Sequence, residues 1–157
     1  MWKKIKPYIV SILIALAVGG LSSLLTKNNM DVYNVINRPP LAPPMVLFPV
    51  VWGILFVLMG ISNAIIYTNR AIKPEGAGTA LRIYGLQLLV NFFWSIIFFN
   101  IQAYLFAFLW LLLLLVLIIL MIMEFGKISP LAAYLQIPYA LWVIFAGYLT
   151  LMIAIFN

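Results

Sequence analysis

Five long apolar runs, separated by short polar breaks, leave this chain few folds to choose from. They cover about residues 7–25, 47–69, 81–100, 103–123 and 130–156. Each approaches or exceeds the roughly 20 residues that carry a helix across the hydrocarbon core of a bilayer. Inside lipid every backbone amide must find its partner within the protein, so runs of this kind are helices. The composition agrees, at 67% hydrophobic and 8% charged residues, against about 25% charged in soluble domains. The expected fold is an all-α integral membrane protein, a five-transmembrane-helix bundle forming one domain over residues 1–157. The first run also has the layout of a secretory signal, with Lys3, Lys4 and Lys6 ahead of it and Gly19, Gly20, Ser22 and Ser23 near its end. It continues apolar to Leu25, long enough to span, and the spanning reading is preferred.

The chemistry open to such a chain is narrow. It contains no histidine and no cysteine, which removes thiolate nucleophiles, Ser-His catalysis, haem ligation by those residues and zinc sites. Its three carboxylates, Asp31, Glu75 and Glu124, fall in or beside the expected loops. No two-carboxylate site, hard-metal cage or other metal site is expected, and no titrating group lies deep in a span for a proton-coupled pump. Glu124 ends the fourth run, where Lys127 can neutralise it. The +6 net charge is explained by topology, and no nucleic-acid partner is expected. Seven bases (Lys3, Lys4, Lys6, Arg70, Lys73, Arg82, Lys127) fall on one side and two (Lys27, Arg38) on the other. The positive-inside rule then places the N-terminus in the cytoplasm and the C-terminus outside.

Between the first two runs lies Asn37-Arg38-Pro39-Pro40-Leu41-Ala42-Pro43-Pro44. Proline fixes φ and lacks an amide donor, so this part of loop 28–46 is expected to be stiff and extended, a lid or wall at a helix mouth. The third and fourth runs meet in a tight hairpin at Asn100-Ile101-Gln102, and residues 70–79 read as a polar turn. Within the spans, uncharged polar and aromatic residues recur at helical spacing. Gln87, Asn91 and Ser95 share one face of the third helix, with Trp94 beside it. Trp52, Phe56, Met59 and Asn63 share a face of the second, and Tyr134, Pro138, Trp142 and Phe145 one of the fifth. Three such faces can enclose an aromatic pocket with a few amide groups, suited to a flat apolar ligand. The plainer reading of each aromatic taken singly is an interfacial belt or helix packing, which fits Trp2 and Trp110 best. Pro138 also reads as a kink, and the small-residue rows Gly53-Gly60-Ala64 and Ala103-Ala107 as packing or homodimer seams.

Taken in order, four blocks resemble the TspO/MBR family of translocator or tryptophan-rich sensory proteins. They are residues 33–44; Pro49 to Phe56 with Met59-Gly60; Tyr84 to Leu88 with Asn91, Trp94 and Phe98-Phe99; and Ala132 to Leu135 with Pro138-Tyr139 and Trp142 to Ala146. The resemblance implies a five-helix bundle, often a homodimer, in a membrane that here is expected to be the bacterial cytoplasmic one. It implies a pocket under the first loop that takes protoporphyrin IX or a related tetrapyrrole, or another apolar small molecule, with no intrinsic cofactor. The ligand-binding residues it implies are Tyr33, Pro43, Pro44, Trp52, Phe56, Asn91, Trp94, Trp142, Phe145 and Ala146. Some bacterial members degrade porphyrin in light and oxygen, which would give Trp52 and Trp142 a catalytic part; there is otherwise no conventional catalytic site. Lys27, Arg38 and the loop amides are the nearest donors for the ligand's propionates. The resemblance thus implies a tetrapyrrole sensor or binding protein, and the alternative it leaves open is a transporter or facilitator of porphyrin or other lipophile efflux.

Three departures stand out. The family's usual loop Pro-Ser-Trp reads Pro39-Pro40-Leu41, Phe92 follows Asn91 where some relatives carry tryptophan, and Thr150 replaces a late asparagine. No base follows Lys127, so a C-terminal cholesterol-recognition pattern is absent.

Overall fold

A computed structural model describes all residues from 1 to 157. It contains helices and no strands. The long helices are α1 (Trp2–Thr26), α3 (Leu47–Thr68), α4 (Pro74–Ser95), α5 (Tyr104–Gly126) and α7 (Ile137–Phe156). Two short ones accompany them, α2 (Val32–Val35) in the first loop and α6 (Pro130–Leu135) just before α7. With its flanking turns the chain has five segments long and apolar enough to cross a membrane, which is the five-helix bundle expected. α1 packs along α3, and α5 packs along both α4 and α7.

The expected boundaries shift in four places, each for a local reason. α1 begins at Trp2 and not near residue 7. Pro7 lies one turn in, where its missing donor costs only a bond to the carbonyl of exposed Lys3. α4 begins at Pro74, inside what reads as a polar turn. Proline at the first helical position is preset for helix, and Glu75 in the first turn suits the helix dipole; together they override Gly76 and Gly78. At its far end α4 runs into a π turn over Ile96–Ile101, closed by Gln102 in the left-handed region (φ 58°). The last run is two helices, parted at Gln136. Pro138 cannot donate to the carbonyl four residues back, on Tyr134, so the ladder breaks there. The first loop is also partly helical, with a 3₁₀ turn over Lys27–Asn29 and then α2; the proline segment itself carries no helix.

One end of the bundle is close-packed. A Cβ at Gly60 would lie 2.5 Å from the Ile12 Cα, so α1 and α3 touch backbone to backbone. The Gly53-Gly60-Ala64 row is thus, at Gly60, a seam within the chain. On the same half Ser62 Oγ donates to the Ala132 carbonyl at 2.6 Å, joining α3 to α6. Lys127 and Glu124 pair at 2.9 Å at the end of α5, and the Trp110 indole donates to the Val90 carbonyl at 2.7 Å, a packing role.

Candidate functional site

The other end encloses a cavity of about 520 Å³, within the range of small-molecule sites. Its floor is a hydrogen-bonded chain. Asn91 Nδ2 donates to the Tyr139 hydroxyl at 2.6 Å, and that hydroxyl donates to Gln87 Oε1 at 2.6 Å. Tyr139 and Gln87 are fully enclosed. The direction of the chain matters. Asn91 commits one N–H to Tyr139, so its carbonyl oxygen and its second N–H are what it has left for a ligand.

Aromatic rings form the walls. Trp52 and Phe56 come from α3, with ring centroids 5.7 Å apart, and Trp52 also meets Tyr139 edge-on at 6.1 Å. From α4 and the π turn come Trp94, Phe98 and Phe99, with Trp94 stacked on Phe98 at 5.1 Å. Gly19 on α1 makes room for one of these rings, because a Cβ there would overlap Phe56. α7 supplies Ala146, Leu149, Thr150 and Ile153. Above lies the first loop, contributing Met30, Tyr33 and Met45. Ser22, Ser23, Ser95, Asn91 and Thr150 are the polar residues of the lining, and no charged residue is among the lining residues.

The lid is tied down in several places. Tyr33 donates to the Pro43 carbonyl at 2.6 Å and carries the Arg38 guanidinium 5.0 Å from its ring centroid. Burial pushes the Tyr33 hydroxyl above the ordinary tyrosine range, against the opposing pull of Arg38. Asn37 N donates to Asn157 Oδ1 at 3.1 Å, and Asn157 Nδ2 returns a bond to the Asn37 carbonyl at 2.9 Å. The Tyr148 hydroxyl donates to the Pro40 carbonyl at 2.9 Å. Leu41, where the family's loop has tryptophan, is exposed at the tip with φ 73°.

The structure divides the expected site. Tyr33, Trp52, Phe56, Asn91, Trp94 and Ala146 line the cavity. Pro43 and Pro44 do not; Pro43 acts through its carbonyl on Tyr33. Trp142 and Phe145 line a separate shallow groove between α3 and α7, with Pro138 and Leu141. Side chains lean toward their helix N-terminus, which carries these two rings away from the cavity. Phe48 fills the space between, 5.9 Å from the Trp142 ring. Tyr134 points outward, and neither Lys27 nor Arg38 reaches the lining. The fifth-helix face expected in the pocket is therefore corrected to the one running from Ala146 to Ile153. Among the lining residues that sequence reasoning left out of the site are Phe98, Phe99, Phe48, Leu149 and the α1 wall. Phe98 and Phe99 stood in a recognised block, whereas α1 carries no motif to flag it.

The family model of the TspO/MBR family matches residues 11–156, nearly the whole chain. The chain belongs to the TspO/MBR family. A tryptophan-rich protein TspO of Chlorobaculum tepidum is 34% identical over 100% of this chain and 99% of its own. A second TspO, from Archaeoglobus fulgidus, is 32% identical over 95% of both chains. The translocator protein of Ovis aries is 32% identical over 74% of this chain and 69% of its own. Membership and the five spanning segments together make this TspO/MBR protein an integral membrane protein.

Proposed function

We propose that this chain is a membrane-embedded binding protein and sensor for tetrapyrroles of the protoporphyrin IX class and related flat apolar ligands. The observation that carries the reading is the cavity itself: about 520 Å³, walled by indole and phenyl rings, uncharged, with the Asn91 carbonyl at its floor. Flat π faces stack on such rings. The name of one relative, the tryptophan-rich sensory protein of Cereibacter sphaeroides, supports the sensor part of the reading, and that of another, the translocator protein of sheep, supports transport. The proposal includes a homodimer in the bacterial cytoplasmic membrane, basic loops in the cytoplasm. Light- and oxygen-dependent degradation of the pigment belongs to it as well, since the pigment supplies the photochemistry and the chain need supply only position and an oxidisable indole. Of the two indoles assigned to the photochemistry, Trp52 lines the cavity beside Trp94, and Trp142 stands behind Phe48.

The test is titration of the purified protein with protoporphyrin IX in the dark, following tryptophan quenching, and then illumination with the pigment spectrum recorded. Saturable quenching and protein-dependent bleaching are expected. Trp52→Phe should slow the bleaching more than it weakens binding, and more than Trp142→Phe does. Absence of saturable quenching removes the tetrapyrrole reading, and equal bleaching in all three proteins removes the role of the tryptophans.

A further inference from the structure

The cavity is unevenly walled. On the side of α4, the π turn and α7, the lining residues Asn91, Trp94, Phe98, Phe99, Ala146 and Leu149 are all buried. On the side of α1 and the start of α3 the lining includes Leu16, Gly20, Ser23, Val46 and Pro49, all five exposed, with Gly19, Phe48 and Gly53 half-buried and only Ser22 buried. A Cβ placed on Gly20 or on Gly53 meets no atom within 4 Å. Yet Gly60, seven residues or about 10 Å further along α3, is pressed against the Ile12 backbone. The two helices meet backbone to backbone at Gly60 and through the Phe56 ring at Gly19, and beyond that ring the cavity is bordered by exposed Ser23, Val46 and Pro49. We infer that this exposed border is a lateral portal, through which a flat lipophile passes between the cavity and the bilayer leaflet on the proline-loop side.

The portal lies at hydrocarbon depth. Gly20 is six residues inside the end of α1 and Gly53 six residues inside the start of α3, about 9 Å each way. Leu16 and Val46 at its rim are exposed and apolar. The route under the lid would break the Asn37–Asn157 pair and the Tyr148–Pro40 bond; the route between α1 and α3 requires neither. No charge lines the rim, and the next base along the chain is Lys27, just past the end of α1 and four residues after Ser23. An amphiphile can therefore keep its carboxylates at headgroup level beside Lys27 while its apolar body slides sideways, so no charge crosses hydrocarbon. That last point rests on the tetrapyrrole reading. The portal itself rests only on the cavity being a ligand site.

The test uses the full chain in lipid nanodiscs with two probes, protoporphyrin IX and the neutral flat hydrocarbon pyrene. Both are delivered from preloaded vesicles and followed by stopped-flow tryptophan quenching. Gly20→Leu narrows the rim, Gly20→Ala controls for loss of the glycine, and Asn157→Ala with Tyr148→Phe loosens the lid. Gly20→Leu should slow both entry and exit by roughly tenfold, Gly20→Ala by much less, and the lid variant should change neither rate by more than about twofold. Faster exchange in the lid variant, with Gly20→Leu at the wild-type rate, overturns the portal. Binding of pyrene without protoporphyrin IX removes the tetrapyrrole reading and leaves the pyrene rates to decide the portal. No saturable signal from either probe overturns it.

Discussion

Replacing Tyr139 by Phe isolates one oxygen whose loss the structure makes costly. The ring stays, and with it the edge-on contact to Trp52 at 6.1 Å. Two 2.6 Å hydrogen bonds go. Gln87 Oε1, on a side chain with 0% exposure, then has no donor. Asn91 Nδ2 loses its acceptor, but Asn91 lines the cavity and can turn to a ligand or solvent there. Only Gln87 bears the full penalty. An orphaned buried polar group costs about 1–3 kcal/mol, whereas hydrogen bonds between membrane helices average about 0.6 kcal/mol in double-mutant cycles. The unfolded-in-membrane chain gives Gln87 some alternative partners, so the expected loss is about 2 kcal/mol. The assay is reversible unfolding in mixed detergent micelles for Tyr139→Phe, Gln87→Leu and the double variant. Removing both partners leaves no orphan, so the double variant should recover at least half of the loss. A loss below about 0.5 kcal/mol, or a double variant no more stable than Tyr139→Phe, would refute the reasoning.

Two glycines on α3 give opposite expectations from one substitution. Gly60→Ala forces apart backbones that a Cβ would approach to 2.5 Å; a loss of about 1–3 kcal/mol, read as a lower melting temperature in detergent, is expected. Gly53→Ala enters open space and gains helix propensity, so stability should rise by about 0.5–1 kcal/mol. Gly53→Phe, directed into the same cavity, should abolish saturable tryptophan quenching by protoporphyrin IX without lowering the melting temperature.

The bundle was legible because hydrophobic length is a one-dimensional property. The run from Tyr104 to Gly126, with a mean hydropathy of 3.3 over its most apolar 18 residues, admits little else. Helix ends were less so, because they turn on particular atoms: a proline at the first position of α4 and another two residues past Gln136. The candidate site was legible where one helix decides it. Asn91 and Trp94 share a face of α4 and line the cavity together. It was illegible where two helices decide it. Trp142 lies four residues before Ala146, on nearly the same face, yet a phenylalanine from the start of α3 stands between it and the cavity. Periodicity along α7 cannot report on Phe48. Nor could spacing show that α1 meets α3 at Ile12, since that contact follows from Gly60 on the partner helix.

These contrasts lie along a single axis. Gly60 against Ile12 and Ser62 against Ala132 close the bundle at one end, and each contact joins helices through atoms too near to admit a ligand. At the other end the same helices carry glycine where nothing is near, a π turn that presents Phe98 and Phe99, and a proline loop held by a few hydrogen bonds. Loose packing is destabilising in a soluble core because it forfeits burial from water. In a bilayer, lipid tails are as apolar as leucine, so helices that part lose only packing. The Tyr139 network sits at the junction, where Asn91 belongs to the cavity and Gln87 to the core. A ligand that hydrogen-bonds to the Asn91 amide acts on the last member of a chain whose other end is fixed in the packed half. Occupancy of the cavity can therefore change the strength of the contact between α4 and α7 without moving either helix, which is the least that a sensor of this construction requires.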